Sequence, residues 1–540
     1  MKGVICLATE SSEKGIFIRK SSGLTKELGS FDSFSMALIS LGPGPAFALY
    51  FAVLWLLPGT NLLYAVLLGA AIGVPVTAAY IYMSTKMPRS GGEYVFASRN
   101  LGTFWGMVSS VSRLVNASVY GGVLAVWFVT LSLAPALSAT GFILNNSSLI
   151  NLANTLSMQN NVIIVAEVLV IILGLLYVFV KPKTAFRIFE AFLILELLGL
   201  IVTIALLFAA GPGGFQSAFN SLASKNGFGA NYYQTVLSAG RGQGFTAGFS
   251  SYQTLLFVPF IFAFYFMFIT APSYIAGEFT RSTRTIRTGT WIAYLLAFLF
   301  AILLVLSFAY AVGMNFLNAS TGLASVGDSS WKFAALFPGL TTYPLVVAHG
   351  NVFLIALMDL GSIAWYIAWL ILGLYIFSRY TLAMSIDRLL PLGMSNVTRR
   401  SHSPYPGIIA VTIISMALIP VYQIYGGGFF GPLTYLLFIL PMITVALSSA
   451  SAVVFGLREK DSRGVVIGLI GAVVTVFSAI VLSFLPTIGL VAGTTPSDIS
   501  DIIIAAIFVG SLIWYFTLKT YFQRKHGMDM RTIFKPLPPD

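Results

Sequence analysis

Apolar stretches of about 18 or more residues recur along the whole of this chain, each long enough to cross the hydrocarbon core of a bilayer. Twelve spans are expected, at about 32–57, 61–83, 103–134, 161–180, 188–210, 254–277, 289–315, 351–378, 406–422, 430–455, 464–486 and 499–519. The sequence is 57% hydrophobic and 9% charged, where soluble domains run near 25% charged. Lipid offers the backbone no hydrogen-bond partners, so spans of this kind fold as helices. An all-α polytopic membrane protein is the expected fold class. No hydrophilic stretch is long enough for a second folded unit. One membrane domain over residues 32–520 is expected, flanked by an N-terminal segment 1–31 and a tail 521–540. Residues 1–31 are polar and carry both charge signs, unlike a cleavable signal peptide.

The formal charge of +12 raises the question of a nucleic-acid partner, and the placement of the charges answers it. Lys and Arg fall in the N-terminal segment and in every second loop: Lys86, Arg89 and Arg99; Lys181, Lys183 and Arg187; Arg281, Arg284 and Arg287; Arg379, Arg388, Arg399 and Arg400; Arg458, Lys460 and Arg463. The opposite loops carry only Lys225, Arg241 and Lys332. By the positive-inside rule both termini and the basic loops are cytoplasmic. An even number of spans agrees with that. The basicity is topological, with anionic lipid as an additional contact, and no nucleic-acid partner is expected.

Cys6 is the only cysteine, so no intramolecular disulfide can form. His349, His402 and His526 lie in different loops without thiolate or HExxH spacing. Neither a metal site nor a cofactor is expected. No Walker A sequence is present, so the chain does not carry its own ATPase. Gly240-Arg241-Gly242-Gln243-Gly244 has no strand before it and reads as a flexible external loop.

Two spans are interrupted in their middles, at Gly42-Pro43-Gly44-Pro45 and at Thr270-Ala271-Pro272-Ser273. Glycine loosens a helix and proline removes an i to i−4 bond. Interruptions in corresponding positions of two halves point to a protein-lined cavity, as in secondary transporters with inverted repeats. Two simple proline kinks are the alternative.

Three motifs carry a family resemblance. Pro88-Arg89-Ser90-Gly91-Gly92-Glu93-Tyr94-Val95-Phe96 with Asn100-Leu101-Gly102 resembles the loop after the second span of the amino acid–polyamine–organocation permeases. Ser378 to Met384, Asp387 to Pro391 and Pro404-Tyr405-Pro406 are similar to their loop after the eighth. Ala276-Gly277-Glu278-Phe279 through Arg284-Thr285-Ile286 resembles the end of their sixth. The resemblance covers roughly residues 25–520 with the spans in order. It implies the leucine-transporter fold: ten core helices in a 5+5 inverted repeat, with helices 1 and 6 discontinuous and two further helices behind.

The resemblance also implies where substrate binds, and the chain departs from the pattern there. The family's first break usually reads Gly-Ser-Gly and holds a substrate carboxylate through backbone amides. Here Gly42 is followed by two prolines without N–H, leaving Gly44 and Ala46 as the expected donors. In the sixth span Phe268 stands where a glycine is usual, and Pro272 supplies the break by freeing the Phe268 carbonyl. That carbonyl and Thr270 are expected to meet an ammonium group. Phe264 aligns with an aromatic that covers the substrate in some relatives.

Ionisable residues at membrane depth are functional suspects. Arg113 in the third span and Glu196 in the fifth each lie nine or ten residues from a cytoplasmic end, roughly 14 Å deep. A pair between them is one expectation. The other follows from a lysine that takes the place of a sodium ion at the Glu196 position in several proton-coupled relatives. A buried carboxyl there is suited to carry a proton through a transport cycle. Asp359 in the eighth span and Glu167 in the fourth lie nearer the outside, and Asp359 is the better coupling candidate. Glu190 is expected to meet Lys183 or Arg187.

The resulting expectation is a secondary transporter of an amino acid or small amine in the cell membrane, working by alternating access as a proton symporter, with exchange without a coupled ion as the alternative mode. A nucleobase or other solute in the same fold is the alternative, and a channel or polytopic enzyme is a different class. An enzyme should show catalytic His, Cys or paired acids at an interface, and a channel a symmetry-related pore loop. Neither pattern is present in the sequence.

Overall fold

The structure, a computed structural model, describes residues 22–333, 336–425, 432–484, 496–527, 529, 530 and 534. Cys6, most of the segment 1–31 and most of the tail beyond 527 lie outside the described residues. Among the described residues, twelve helices are long and apolar enough to cross a membrane, from Ser30–Leu56 as the first to Ser500–Lys525 as the last. Each expected span has its counterpart. Fold class and span order are therefore as the sequence indicates.

Burial ranks the spans. In spans 1, 6 and 8 (Ser30–Leu56, Ser251–Tyr274, Val352–Ile386) 83, 89 and 78% of the apolar window is buried, against 28 and 11% in spans 11 and 12 (Ser462–Ser483, Ser500–Lys525). The interrupted spans thus form the centre and the last two the rim. Span 11 packs on spans 2, 6 and 10, and span 12 on spans 3 and 10.

Span 5 runs far beyond the membrane core, as one helix over Pro182–Lys225 with a joint at Gly211 (φ 60°, ψ −176°). The segments between spans 5 and 6 and between spans 7 and 8 hold short helices, Tyr232–Gly242, Met314–Val326 and Tyr343–Val347, so Gly240-Arg241-Gly242, read from sequence as flexible loop, closes a helix instead. They close over the bundle through aromatic packing: Tyr233 stacks on Phe316 at 4.0 Å and Phe219 on Tyr232 at 5.9 Å.

On the opposite face, arginines read as loop charges turn inward. A short helix, Gly92–Asn100, follows span 2 and is buried along its length. Its Arg99 meets Asp387 at 2.6 Å, and Arg379 of span 8 meets Glu278 at 2.9 Å with both side chains buried. Lys183 meets Asp32 at 2.9 Å and Arg187 meets Glu190 at 2.8 Å. Lys183 and Arg187 keep exposed side chains, whereas Arg99–Asp387 and Arg379–Glu278 are buried, and in such pairs desolvation offsets much of the attraction.

Candidate functional site

The first break is a true interruption. Helix Ser30–Leu41 ends at Gly42, whose φ of 61° is left-handed, and a second helix, Pro43–Val53, starts on Pro43. Gly42 is also the only residue type that fits: a Cβ there would lie 2.5 Å from the Trp365 ring. The sixth span breaks earlier than its proline suggests. Helix Ser251–Phe264 stops at Tyr265 (φ −130°, ψ −77°), and Phe266–Tyr274 continues as tight 3-10 turns.

Backbone groups freed by a break in lipid must find other partners, and here side chains from facing spans supply them. Ser40 Oγ donates to the Phe268 carbonyl at 2.7 Å, and Trp369 Nε1 donates to the Ile39 carbonyl at 2.6 Å. Tyr50 OH adds a 3.1 Å bond to the Ile261 carbonyl, which also keeps the Tyr265 N–H at 3.2 Å. The two breaks are thereby stitched to each other and to span 8.

Aromatic rings fill the space between them. Phe264 stacks on Phe438 of span 10 (centroids 3.3 Å). Phe268 leans on Trp369 at 5.9 Å and on Tyr120 of span 3 at 6.5 Å. Thr270 is buried, with its hydroxyl 2.8 Å from Tyr274 OH.

Beside the first break lies a cavity of about 60 Å³. Gly44, Glu196, Thr203, Asp359, Ser362 and Tyr366 are among its lining residues, so both expected acids reach it. Asp359 accepts a 2.6 Å bond from Thr140 Oγ1. Glu196 faces the Gly44 amide, yet neither of its buried oxygens has a well-formed hydrogen bond. Span 3 opens into a π-helical turn over Phe128–Leu133 beside this cavity, turning Leu131 to its wall and bringing Ser132 Oγ to 3.1 Å from Ser362 Oγ. Such π turns recur at functional sites. Glu167 does not line the cavity.

Two expectations need correction. Ala46 does not offer a free amide, because its N–H closes the first turn of the second half-helix on the Gly42 carbonyl at 3.2 Å. Gly44 remains. Arg113 does not pair with Glu196. Its guanidinium grips Glu93 through Nε at 2.9 Å and Nη2 at 2.5 Å, and also donates to Thr444 Oγ1 at 2.6 Å. Glu93 in turn accepts from Tyr80 OH at 2.6 Å and from Tyr380 OH. Tyr274 OH, 3.5 Å from Glu93, links this hub to Thr270. The hub therefore joins spans 2, 3, 6, 8 and 10 through one carboxylate on the short helix.

No group of three or more His, Cys, Asp or Glu side chains suited to a metal ion occurs among the described residues. The family model described as amino acid permease matches residues 28–513. Over 80 residues the chain is 36% identical to uncharacterized protein 399 of Sulfolobus islandicus rod-shaped virus 1, a stretch that is 14% of this chain and 20% of the viral protein. The match thus spans a fifth of that relative's length.

Proposed function

The chain belongs to the amino acid permease family, and from that premise we propose that it carries a neutral amino acid or small amine across the cell membrane by alternating access, driven by protons. The family supports a transporter of amino acids or related solutes; the driving ion, the site and the topology are our reading. Both termini are placed in the cytoplasm on the distribution of Lys and Arg, with one permease domain over 32–520.

The observation that carries the coupling is Glu196 facing the Gly44 amide with no ion-pair partner among the described residues. Gly44 is the donor left at the first break for a substrate carboxylate. Two ionised carboxylates at one amide repel strongly in a dry site. Substrate and proton therefore bind together: protonation of Glu196 releases the amide to the substrate. Asp359, in the same cavity and held by Thr140, is the outer station from which the proton enters. The ammonium end lies toward Thr270 and the Phe268 carbonyl, with Phe264 closing over it. Arg113 acts from the Glu93 hub and not on the proton.

Uptake by purified protein in liposomes tests the reading, with labelled amino acids and amines under imposed proton or sodium gradients. Accumulation driven by an inward proton gradient is expected. Accumulation that follows sodium alone, or no uptake of any amino acid or amine, overturns it.

A further inference from the structure

A second pocket, of about 570 Å³, opens where the start of span 3 meets the end of span 10 and the flank of span 12. Arg99, Arg458, Trp105 and Tyr515 are in its wall with Phe534 of the tail, whose ring centroid lies 5.2 Å from the Arg99 guanidinium, and no carboxylate lines it among the described residues. Arg99 forms the floor: its charge is balanced by Asp387, but its buried Nε has no partner. Arg458 is exposed and makes no ion pair among the described residues. It donates to the Arg99 and Asn100 carbonyls at 3.2 and 3.3 Å. A guanidinium has more N–H groups than those two carbonyls use.

Span 3 begins at Thr103 after Gly102 (φ 101°), with no side chain capping its first turn. The leading N–H groups of a helix lack intrahelical partners and favour an anion. Thr103 and Trp105, which carry such groups, line the same pocket. Trp105 is 40% exposed at the start of span 3. Aromatic rings of this kind settle at the headgroup level. Cationic donors, an open helix start and an interfacial aromatic wall thus converge on a pocket of headgroup size.

We propose that this pocket binds the phosphate group of an anionic lipid. Arg458 and the first N–H groups of span 3 hold the phosphate, and Trp105 and Tyr515 pack on the glycerol and upper chains. On the topology proposed above this is the cytoplasmic leaflet; the chemistry of the pocket does not depend on that assignment.

The test uses the full-length protein in neutral detergent, titrated with phosphatidylglycerol brominated on its chains and separately with inorganic phosphate. Tryptophan quenching and the number of lipids retained in native mass spectrometry are read. Saturable quenching that Trp105→Phe largely removes is expected. Arg458→Gln should raise the apparent Kd roughly fivefold, the ~1 kcal/mol of one basic residue at an anionic surface. Arg458→Lys should fall between the two. If Arg458→Gln is poorly folded, Trp105→Ala, which leaves the Arg458 bonds intact, should show the same loss of retained lipid. Competition by inorganic phosphate at millimolar concentration assigns the site to a free anion and overturns the lipid. Unchanged lipid affinity in a folded Arg458→Gln protein overturns the site itself, leaving Arg458 as a cap on helix Gly92–Asn100.

Discussion

Gly199 of span 5 and Gly361 of span 8 face each other so closely that neither has room for a side chain. A Cβ on Gly199 would lie 3.2 Å from Gly361 Cα, and one on Gly361 would lie 3.1 Å from Gly199 Cα and 3.0 Å from the Leu195 carbonyl. Small residues at a crossing let membrane helices approach through their backbones. This crossing lies one turn from Glu196 and within the wall of its cavity. The contact therefore sets how far the carboxyl stands from Gly44 and from Asp359.

Gly361→Ala should push the two spans apart. Overpacking of this kind costs about 1–3 kcal/mol. A lower melting temperature in detergent and reduced uptake are expected, with Gly44 and Glu196 themselves unaltered. A variant with native stability and native uptake shows that the crossing tolerates a methyl group.

Glu196→Gln should remain folded, because no ion pair among the described residues is lost with the charge and the glutamine carbonyl oxygen can still face the Gly44 amide. Gradient-driven accumulation should be abolished while substrate counterflow persists, since glutamine is nearly isosteric but cannot carry the proton. Counterflow and accumulation measured in the same liposomes separate the two. Normal accumulation with a normal pH dependence removes Glu196 from coupling.

The spans were legible because a bilayer imposes one length and one polarity on every crossing segment, so hydropathy alone locates Ser30–Leu56 through Ser500–Lys525. The break at Gly42 was legible for the same reason, as glycine and proline where a helix must otherwise be continuous. The partner of Arg113 was not. Glu93 sits on a nine-residue polar helix that hydropathy treats as loop, and only folding back buries it. Its signal was present in the neighbouring tyrosines and in a motif read for resemblance alone. Arg99 and Arg379 were misjudged in the same way, since a count of loop charges cannot tell a solvated arginine from one folded onto Asp387 or Glu278.

Glu93→Ala should be far more damaging than Glu196→Gln. It strands a buried Arg113 guanidinium, at a cost of about 3–5 kcal/mol. Tyr380→Phe removes one hydrogen bond from the same carboxylate and should cost on the order of 1 kcal/mol. Thermal unfolding and membrane yield of the two variants give the ranking. Equal yields would mean that the hub contributes little to folding.

Pro272→Ala returns an N–H to the turns of Phe266–Tyr274 and lets them tighten toward an α-helix. Insertion and yield should be unaffected, whereas maximal transport rate should fall. Ser40→Ala, which leaves the Phe268 carbonyl without its partner, should lower the rate and also destabilise by about 1–3 kcal/mol. Transport kinetics indistinguishable from the parent in both would count against a role for the sixth-span break.

Substrate preference follows from charge. Thr270 is an uncharged hydroxyl, and the nearest hub carboxylate, Glu93, is already committed to Arg113. A second ammonium at the Thr270 end finds no uncommitted carboxylate to offset its desolvation. Neutral amino acids should therefore compete for uptake better than arginine or a polyamine. Tighter binding of the dications would refute this.

The joint at Gly211 divides span 5 mechanically. Below it, roughly 44 Å of rod carries Lys183 at one end and Glu196 near its middle, in contact with span 8 through Gly199. Above it, Phe215 and Phe219 are held in the aromatic cap by Tyr233, Phe316 and Tyr343. The glycine breaks the helical geometry between these parts, so the direction of the outer piece is set by the cap and that of the rod by the membrane bundle. A probe on the cap should consequently follow the outer piece and not the rod, even though both belong to the same helix.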